Sequence, residues 1–279
     1  MSHPKVTLQI SLAPTDYRHA VHLLPHQLRT WQDQVDEVLV SIDLHRSQGR
    51  FSANWESGKH GLEQLLSALP GIRVEEVDYG NDAEQRIAEL FFGGVVPVPR
   101  KDFRGGPYYS YFFGLAAATH DYVFHIDADM MFGGRSNTWM KEAIADQDND
   151  PKVLFSAPLP GPPTHDGELH RQAGQKLPGR PYTFEFADMS TRIFLLSRER
   201  FSSSLTGLVP RPAPAWRNQL KAHLEKNPNQ DLPEHIISDA MQGKGLIRRE
   251  FLGNEGGKWH LHPPYRCRDY YDKLPDIIH

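Results

Sequence analysis

The stretch Tyr122-Val-Phe-His-Ile-Asp-Ala-Asp129 decides the fold class. Its first five residues are aromatic, β-branched or aliphatic apart from His125, which predicts a short strand buried in a sheet. Two carboxylates follow, Asp127 and Asp129, and positions i and i+2 of an extended chain point to the same side. Acids are costly to desolvate without a partner. We therefore expect this pair to bind a ligand at the carboxyl end of the strand.

The residues before this strand alternate between predicted strands and helices. Strands are predicted at 6–12, 38–42 and 73–77, and helical spacing is found in Tyr17, Val21, Leu24, Leu28 and Trp31 and again in Leu62, Leu65, Leu66 and Leu69. Pro25 lies within the first helical pattern, so that helix is kinked there or begins just before it. Such alternation predicts one α/β, Rossmann-like domain with a mostly parallel central sheet flanked by helices.

The pattern is weaker after residue 132, where we place a soft division of the chain. Residues 158–181 are rich in proline and glycine and predict a long loop, a candidate lid. A strand at 192–196 and helices at 216–225 and 234–242 are expected beyond it. The Arg248-Arg249 pair is typical of a solvated surface.

Composition excludes several functional classes. The formal net charge is −4, so neither a nucleic acid nor an anionic lipid surface is an expected partner. The single cysteine, Cys267, excludes an intramolecular disulfide framework and suits a reducing compartment. The first residues show no secretory pattern and no apolar run approaches transmembrane length, so we expect a cytoplasmic protein without a transmembrane anchor.

The chemistry of the Asp127-Ala128-Asp129 motif favours a hard divalent cation. Mn²⁺ and Mg²⁺ prefer oxygen ligands and keep coordination positions for substrate phosphates. The alternative is a solvated turn, because two acids at this spacing also arise by chance.

The run 114–129 resembles the helix, turn, strand and D-x-D segment of GT-A glycosyltransferases, especially the family-2 group, and residues 6–14 resemble that family's first βα unit. The resemblance covers residues 6–132. It implies a GT-A fold, a hexosyltransferase-type activity, a nucleoside-diphosphate-sugar donor and bound Mn²⁺ or Mg²⁺. Residues 1–132 would then be the nucleotide-sugar-binding half and 133–279 the acceptor-binding half, with a metal-ligand segment near the C-terminus.

The same resemblance assigns site residues. Asp127, Ala128 and Asp129 would hold the metal and the donor diphosphate, Asp43 would face the base or ribose, and Pro14 and Arg104 would lie beside the donor. Arg104 as an ordinary surface side chain is the alternative. Where the family often has two acids around Asp43, this chain has Ile42-Asp43-Leu44.

An inverting transferase needs a base for the acceptor hydroxyl. The family places an acid for this role at the start of a helix in its second half, and the segment 232–239 resembles that helix start. Glu234 stands at the position of the acid, and Asp239 is the fallback. His235 stands where the family often has Asp. Alternatively, Glu234 only stabilises a helix N-terminus. If neither acid matters, the enzyme retains configuration or draws its base from a third group of acids: Asp166, Glu185 and Asp188.

His260 and His262 point to one side if the segment is extended. Several GT-A enzymes complete their metal site with a histidine in a corresponding C-terminal segment, so one of the two is expected to do so here, and the sequence does not choose between them. Packing or hydrogen bonding is the alternative for both.

Two rival functions remain open. A sugar-phosphate nucleotidyltransferase is disfavoured because residues 13–17, Ala-Pro-Thr-Asp-Tyr, lack the glycine-rich phosphate loop that usually follows its first strand. A non-catalytic nucleotide-sugar-binding module is the other rival. The expected acceptor is a small molecule or a glycan.

Overall fold

The computed structural model describes residues 4–46, 54–169, 172–263 and 268–278. Cys267 lies outside these residues. The strands are β1 Val6–Leu12, β2 Glu37–Ile42, β3 Arg73–Glu76, β4 Tyr122–Asp127, β5 Met131–Gly133, β6 Val153–Pro160, β7 Gln175–Lys176, β8 Thr183–Phe186, β9 Ile193–Ser197, β10 Ile247–Phe251 and β11 Trp259–Leu261. The helices are α1 Tyr17–Trp31, α2 Trp55–Ser67, α3 Asn81–Phe91, α4 Tyr109–Ala117, α5 Trp139–Asn149, α6 Arg198–Ser204, α7 Trp216–Leu224, α8 Pro233–Gln242 and α9 Arg268–Ile278.

A large sheet forms the centre of the described chain, in the order β3-β2-β1-β4-β9-β6-β10-β8-β7. The first four strands are parallel, β9 runs antiparallel between β4 and β6, and β10 returns parallel to β6. β11 pairs with β5 and β6 beside this sheet. The predicted α/β class with a sheet parallel in its core is therefore confirmed.

The parallel register sets the edge at which a ligand can bind. Ser11 of β1 lies opposite both Ser41 of β2 and Asp127 of β4, so three carboxyl ends meet there. Apolar faces of the helices cover the sheet, and Trp31 of α1 packs edge-on against Phe124 of β4 with ring centroids 4.7 Å apart. The two predicted halves share one sheet and one core, because Trp139 and Phe251 pack in the same cluster as β1.

Several sequence expectations are corrected by the fold. Helix α1 begins at Tyr17, well before Pro25, so the later start is wrong. The predicted loop 158–181 begins inside β6 and includes β7. Arg248 and Arg249 are buried in β10 rather than solvated, because carboxylates and an aromatic ring surround them. Within the described residues, the helices are too short or too polar to cross a lipid bilayer.

Candidate active site

The turn after β4 places the two acids of the D-x-D motif. The Asp127 carbonyl accepts from Met130 N–H at 3.2 Å, which closes the turn. The buried amide of Gln27, on α1, donates to the Asp127 and Met130 carbonyls at 3.1 and 2.9 Å. Because these bonds fix the backbone, both Asp127 and Asp129 project into the cavities at the edge of the sheet.

Asp127 lies next to two aromatic side chains that the sequence did not single out. Its Oδ1 is 3.4 Å from the Tyr111 hydroxyl and 3.4 Å from His125 Nε2. His125 is fully buried and contacts the Gln9 amide through Nδ1. Burial and the charge of Asp127 raise the pKa of Tyr111, so its hydroxyl stays a donor at neutral pH.

Asp129 is nearly buried and contacts the C-terminal segment. Its Oδ2 lies 3.1 Å from His262 Nε2. Burial and the charge of Arg192 lower the pKa of His262 to about 4, so the imidazole is neutral at pH 7. The pairing follows from strand register: Leu261 of β11 lies opposite Met131 of β5, and the next residue reaches back toward the turn.

His260 has a different partner. Its Nε2 lies 3.8 Å from Oε2 of Glu250 on β10. Burial favours a higher pKa for Glu250, but the charge of Arg248 and the contact with His260 outweigh burial and lower the pKa. Of the two candidate histidines, the structure thus brings His262 to Asp129 and places His260 beside Glu250 instead.

Three neighbouring cavities contain most of the candidate residues. The strand-end cavity, about 170 Å³, is lined by Asp43, Lys101, Asp127, Ala128 and Asp129 among others. The central cavity, about 530 Å³, shares both acids with it and adds Arg104, Arg192, Glu234 and His262. The distal cavity, about 860 Å³, shares Arg192, Glu234 and His262 and extends to Glu250 and His260.

Asp43 lies in the strand-end cavity with its carboxylate already engaged. Lys101 Nζ donates to Oδ2 at 2.5 Å, and the Tyr79 hydroxyl and the His45 N–H each donate to Oδ1 at 2.9 Å. The side chain that Asp43 orients, Lys101, lines the same cavity and was missed by the sequence reasoning. A lysine followed by Asp102 in a glycine-rich loop offers no local signal for this contact.

Of the two residues expected beside the donor, Arg104 lines a cavity and Pro14 does not. Ala13 and Thr15 line the strand-end cavity, whereas buried Pro14 packs on α2, where a Cβ at Gly58 would come 2.0 Å from the Pro14 carbonyl oxygen. The guanidinium of Arg104 is 3.5 Å from Asp102 and lines the central cavity. Pro14 therefore positions the loop rather than lining the cavity.

Of the two candidate bases on α8, Glu234 is the one that reaches the cavities. It follows Pro233 in the first turn of α8, and Thr191 Oγ1 donates to its Oε2 at 3.4 Å. Asp239 faces away, in an ion pair with Arg211 on the exposed side of α8.

The three remaining candidate acids also differ in whether they line a cavity. Glu185 accepts from Arg249 Nε at 3.1 Å, which holds it in a structural network. Asp188 lines the distal cavity. Asp166 lies in the turn after β6, where it accepts from the Glu168 N–H at 3.1 Å.

Arg192 is a second cation that sequence reasoning missed. It is exposed, lines both the central and the distal cavity, and its carbonyl accepts from the Asp127 N–H at 2.8 Å. Its position results from the antiparallel pairing of β9 with β4, which no local pattern reveals. Across the described ranges, no three His, Cys, Asp or Glu side chains are grouped closely enough to hold a metal by themselves.

No known protein-family model and no curated protein match the sequence. Solved structures similar to the chain include the galactosyltransferase LgtC with donor and acceptor sugar analogues, at 11% identity and TM-score 0.45, covering 98% of this chain and 95% of that one. Glucosyl-3-phosphoglycerate synthase from Mycobacterium tuberculosis, with Mn²⁺, UDP and glucosyl-3-phosphoglycerate, is 13% identical at TM-score 0.41, covering 99% of this chain and 77% of that one. Mouse xyloside xylosyltransferase 1 is 15% identical at TM-score 0.41, covering 99% and 93%. The likeness concerns the fold alone.

Proposed function

We propose that this protein is a glycosyltransferase that moves a sugar from a nucleoside-diphosphate donor to a hydroxyl of a small-molecule or glycan acceptor. One observation carries the proposal. Asp127 and Asp129 at the end of β4, His262 after β11 and Glu234 at the start of α8 line a single cavity, although they are far apart in sequence. A pair of acids facing a histidine and a candidate base supports metal-assisted glycosyl transfer with inversion.

A divalent cation suits this set of side chains. Two carboxylates and a neutral imidazole are ligands that Mn²⁺ accepts, and the lowered pKa of His262 leaves its ring nitrogen unprotonated at pH 7. In the described residues no three such side chains are close enough to hold an ion by themselves, so Asp127, Asp129 and His262 would hold it only together with donor phosphate oxygens and water. When bound, the ion neutralises negative charge that develops on the departing diphosphate.

The donor would extend from the strand-end cavity into the central cavity. Lys101, held by Asp43 and buried in the cavity wall, offers N–H donors to the nucleoside. Arg192 and Arg104 line the central cavity and would offer cations to the diphosphate. In this proposal Asp43 acts by orienting Lys101, since both of its oxygens already accept hydrogen bonds.

Glu234 would remove the proton from the attacking hydroxyl. The bond from the anomeric carbon to the β-phosphate oxygen breaks, a bond to the acceptor oxygen forms, the hydroxyl proton passes to Glu234, and the nucleoside diphosphate leaves. Attack from the face opposite the leaving group inverts the anomeric carbon. The Thr191 hydroxyl, 3.4 Å from Glu234 Oε2, helps to hold the carboxylate toward the cavity.

A two-step assay tests the proposal. A thermal-shift screen of UDP-, GDP-, TDP- and ADP-sugars with Mn²⁺ identifies the donor, and chromatography then measures release of its nucleoside diphosphate with Mn²⁺ or with EDTA. We expect Mn²⁺-dependent stabilisation by one nucleotide class and Mn²⁺-dependent release of that diphosphate. Binding without release would indicate a binding module, and formation of nucleotide sugar from a sugar phosphate and a nucleoside triphosphate would indicate a nucleotidyltransferase.

A further inference from the structure

Strand β10 is unusual because charged side chains occupy a buried strand. Arg248, Arg249 and Glu250 are each less than a tenth exposed, and β10 lies between β6 and β8. The charge of Arg249 is neutralised on one face of the strand, where Arg249 forms ion pairs with Asp146, Asp150 and Glu185. The other two point to the opposite face, and both line the distal cavity.

The buried guanidinium of Arg248 also has partners. Its Nε donates to the Asp188 carbonyl at 3.0 Å, its guanidinium lies 4.4 Å from the Phe186 ring centroid, and it bonds Oε1 of Glu250. These contacts fix the Glu250 carboxylate from one side. They leave its other oxygen, Oε2, for a different group.

That second oxygen and the neighbouring histidine lack hydrogen bonds. Among the described residues, neither Glu250 Oε2 nor either ring nitrogen of His260 has a hydrogen-bond partner, although all three atoms are buried. Glu250 has only 1% of its side chain exposed and His260 has 11%. Buried polar atoms in native proteins are nearly always hydrogen-bonded, and leaving one unpaired is destabilising. Two of these atoms, Glu250 Oε2 and His260 Nε2, face each other at 3.8 Å, which is too long for a hydrogen bond. Both residues line the distal cavity, so a ligand that bridges them would supply the missing hydrogen bonds.

The chemistry of these atoms restricts what the ligand can be. Glu250 Oε2 only accepts hydrogen bonds, whereas an imidazole ring offers two nitrogens, at least one of which donates. An anion would be repelled by Glu250. Hydroxyl groups both donate and accept, and neighbouring hydroxyls on a ring or a polyol can meet two atoms that lie 3.8 Å apart. Tyr182 is half-buried, lines the same cavity and offers a ring on which the C–H groups of a sugar can pack.

We propose that the distal cavity is the acceptor subsite and binds a polyhydroxylated group, a sugar ring or polyol, through two neighbouring hydroxyls to Glu250 and His260. The identification of the bound group as the acceptor rests on the proposed glycosyl transfer. The cavity suits that role because it also contains Glu234 and His262, so one acceptor can reach both the Glu250 end and the transfer site.

Saturation-transfer NMR tests the proposal. The probes are the methyl glycosides of glucose, galactose and mannose, glycerol, and tetrahydropyran-2-methanol, a ring without neighbouring hydroxyls. Each is measured without additions and with UDP plus Mn²⁺. The variants are Glu250→Gln and His260→Phe. The chain also supplies a matched control, Glu63→Gln and His60→Phe, because this Glu–His pair is 4.0 Å apart but exposed on α2.

We expect wild-type protein and both control variants to bind at least one polyhydroxylated probe, and tetrahydropyran-2-methanol to bind more weakly. Each test variant should raise the dissociation constant about 10- to 100-fold, the range for losing a hydrogen bond to a charged group. His260→Phe leaves the Arg248–Glu250 contact in place, so it decides the question if Glu250→Gln fails to fold.

Wild-type protein that binds no polyhydroxylated probe in either condition would overturn the proposal. So would His260→Phe protein that binds as tightly as wild type, or equal binding of tetrahydropyran-2-methanol. The arm without UDP and Mn²⁺ does not use the donor site. A failure of Mn²⁺-dependent donor binding would therefore contradict the proposed function while leaving the polyol result standing.

Discussion

The strand-end region and the distal cavity are built from similar parts and differ in how the sequence encodes them. Each pairs a carboxylate with a histidine from the segment around β11: Asp129 with His262 at 3.1 Å, and Glu250 with His260 at 3.8 Å. Asp129 belongs to a motif that can be recognised within eight consecutive letters. Glu250 belongs to a strand whose letters look like solvated surface. The comparison teaches that local spacing finds a ligand site only where one element supplies most of it.

The two histidines also show how one short strand can serve both regions. Residues 260 and 262 are two apart in an extended segment, so they point to the same side. The carboxylate that each meets comes from a different part of the fold, β10 for one and the turn after β4 for the other. We therefore expect substitutions in the two regions to have separable effects.

The largest effect is expected at the strand end. Asp129→Ala should abolish transfer and the metal-dependent part of donor binding, because it removes the carboxylate that faces both the ion and His262. Release of nucleoside diphosphate from the donor with Mn²⁺ is the measurement. Asp82→Ala, on the exposed start of α3, is the control and should behave as wild type. Wild-type turnover by Asp129→Ala would remove the basis of the comparison.

The next effect concerns the base. Glu234→Gln should keep the fold and the donor affinity while turnover falls about 10²- to 10⁴-fold, the range for general-base catalysis. Asp239→Asn should change turnover little, because Asp239 is exposed and paired with Arg211. Steady-state kinetics with calorimetric donor binding checks both. A larger loss in Asp239→Asn would shift the base by one helical turn, and no loss in either would point to retention or to Asp188.

A smaller effect separates the two histidines. His262→Ala should weaken Mn²⁺ binding at least about tenfold, since even outer-shell partners of a metal contribute that much. His260→Ala should leave Mn²⁺ affinity unchanged, because its partner is Glu250. Calorimetric titration of both variants in the presence of UDP makes the comparison. Equal losses would show that the two regions share one ion.

The smallest effect on activity is expected from an acid at the opposite end of the same strands. Burial favours a higher pKa for Glu37, but hydrogen bonds from Thr7, Thr119 and Arg73 outweigh burial and lower the pKa to about 2. The ionised side chain therefore stabilises the fold above its unfolded pKa of 4.5, and this contribution is lost as the pH falls from 4.5 to 2.

Glu37→Gln should accordingly lower the free energy of unfolding at pH 7 by about 1–3 kcal/mol without changing Mn²⁺ affinity. The difference from wild type should shrink below pH 4.5. Urea unfolding at several pH values measures it. A loss of Mn²⁺ binding in this variant would mean that residues at the opposite ends of the strands affect the Mn²⁺ affinity of the site.

Much of the fold could be predicted because its signals are local. Strands β1, β2 and β4 are short apolar runs, and α1 and α2 show helical spacing, so the parallel half followed directly. Helix α3 and strand β10 were missed, because charged residues interrupt both: Asp82 and Glu84 in the first, and Arg248 to Glu250 in the second. Charges that pair inside a fold cannot be told from solvated ones by composition.

The residues of the candidate site also differ in whether a local sequence pattern reveals them. Asp127, Asp129 and Glu234 could be proposed from short motifs, and the structure places all three on the central cavity. The choice of His262 over His260 required the register of β11 against β5, and Arg192 required the pairing of β9 with β4. Such contacts join residues more than sixty positions apart, which one sequence without an alignment does not reveal.

The central claim is that Asp127, Asp129 and His262 form one divalent-cation site completed by the donor. Electron paramagnetic resonance of free Mn²⁺, titrated into protein with UDP, tests it most directly because bound Mn²⁺ loses the free-ion signal. We predict one bound ion per chain in wild-type protein and in His260→Ala, and none in Asp129→Ala. Stoichiometric Mn²⁺ binding by Asp129→Ala, or no binding by wild-type protein, would contradict the account.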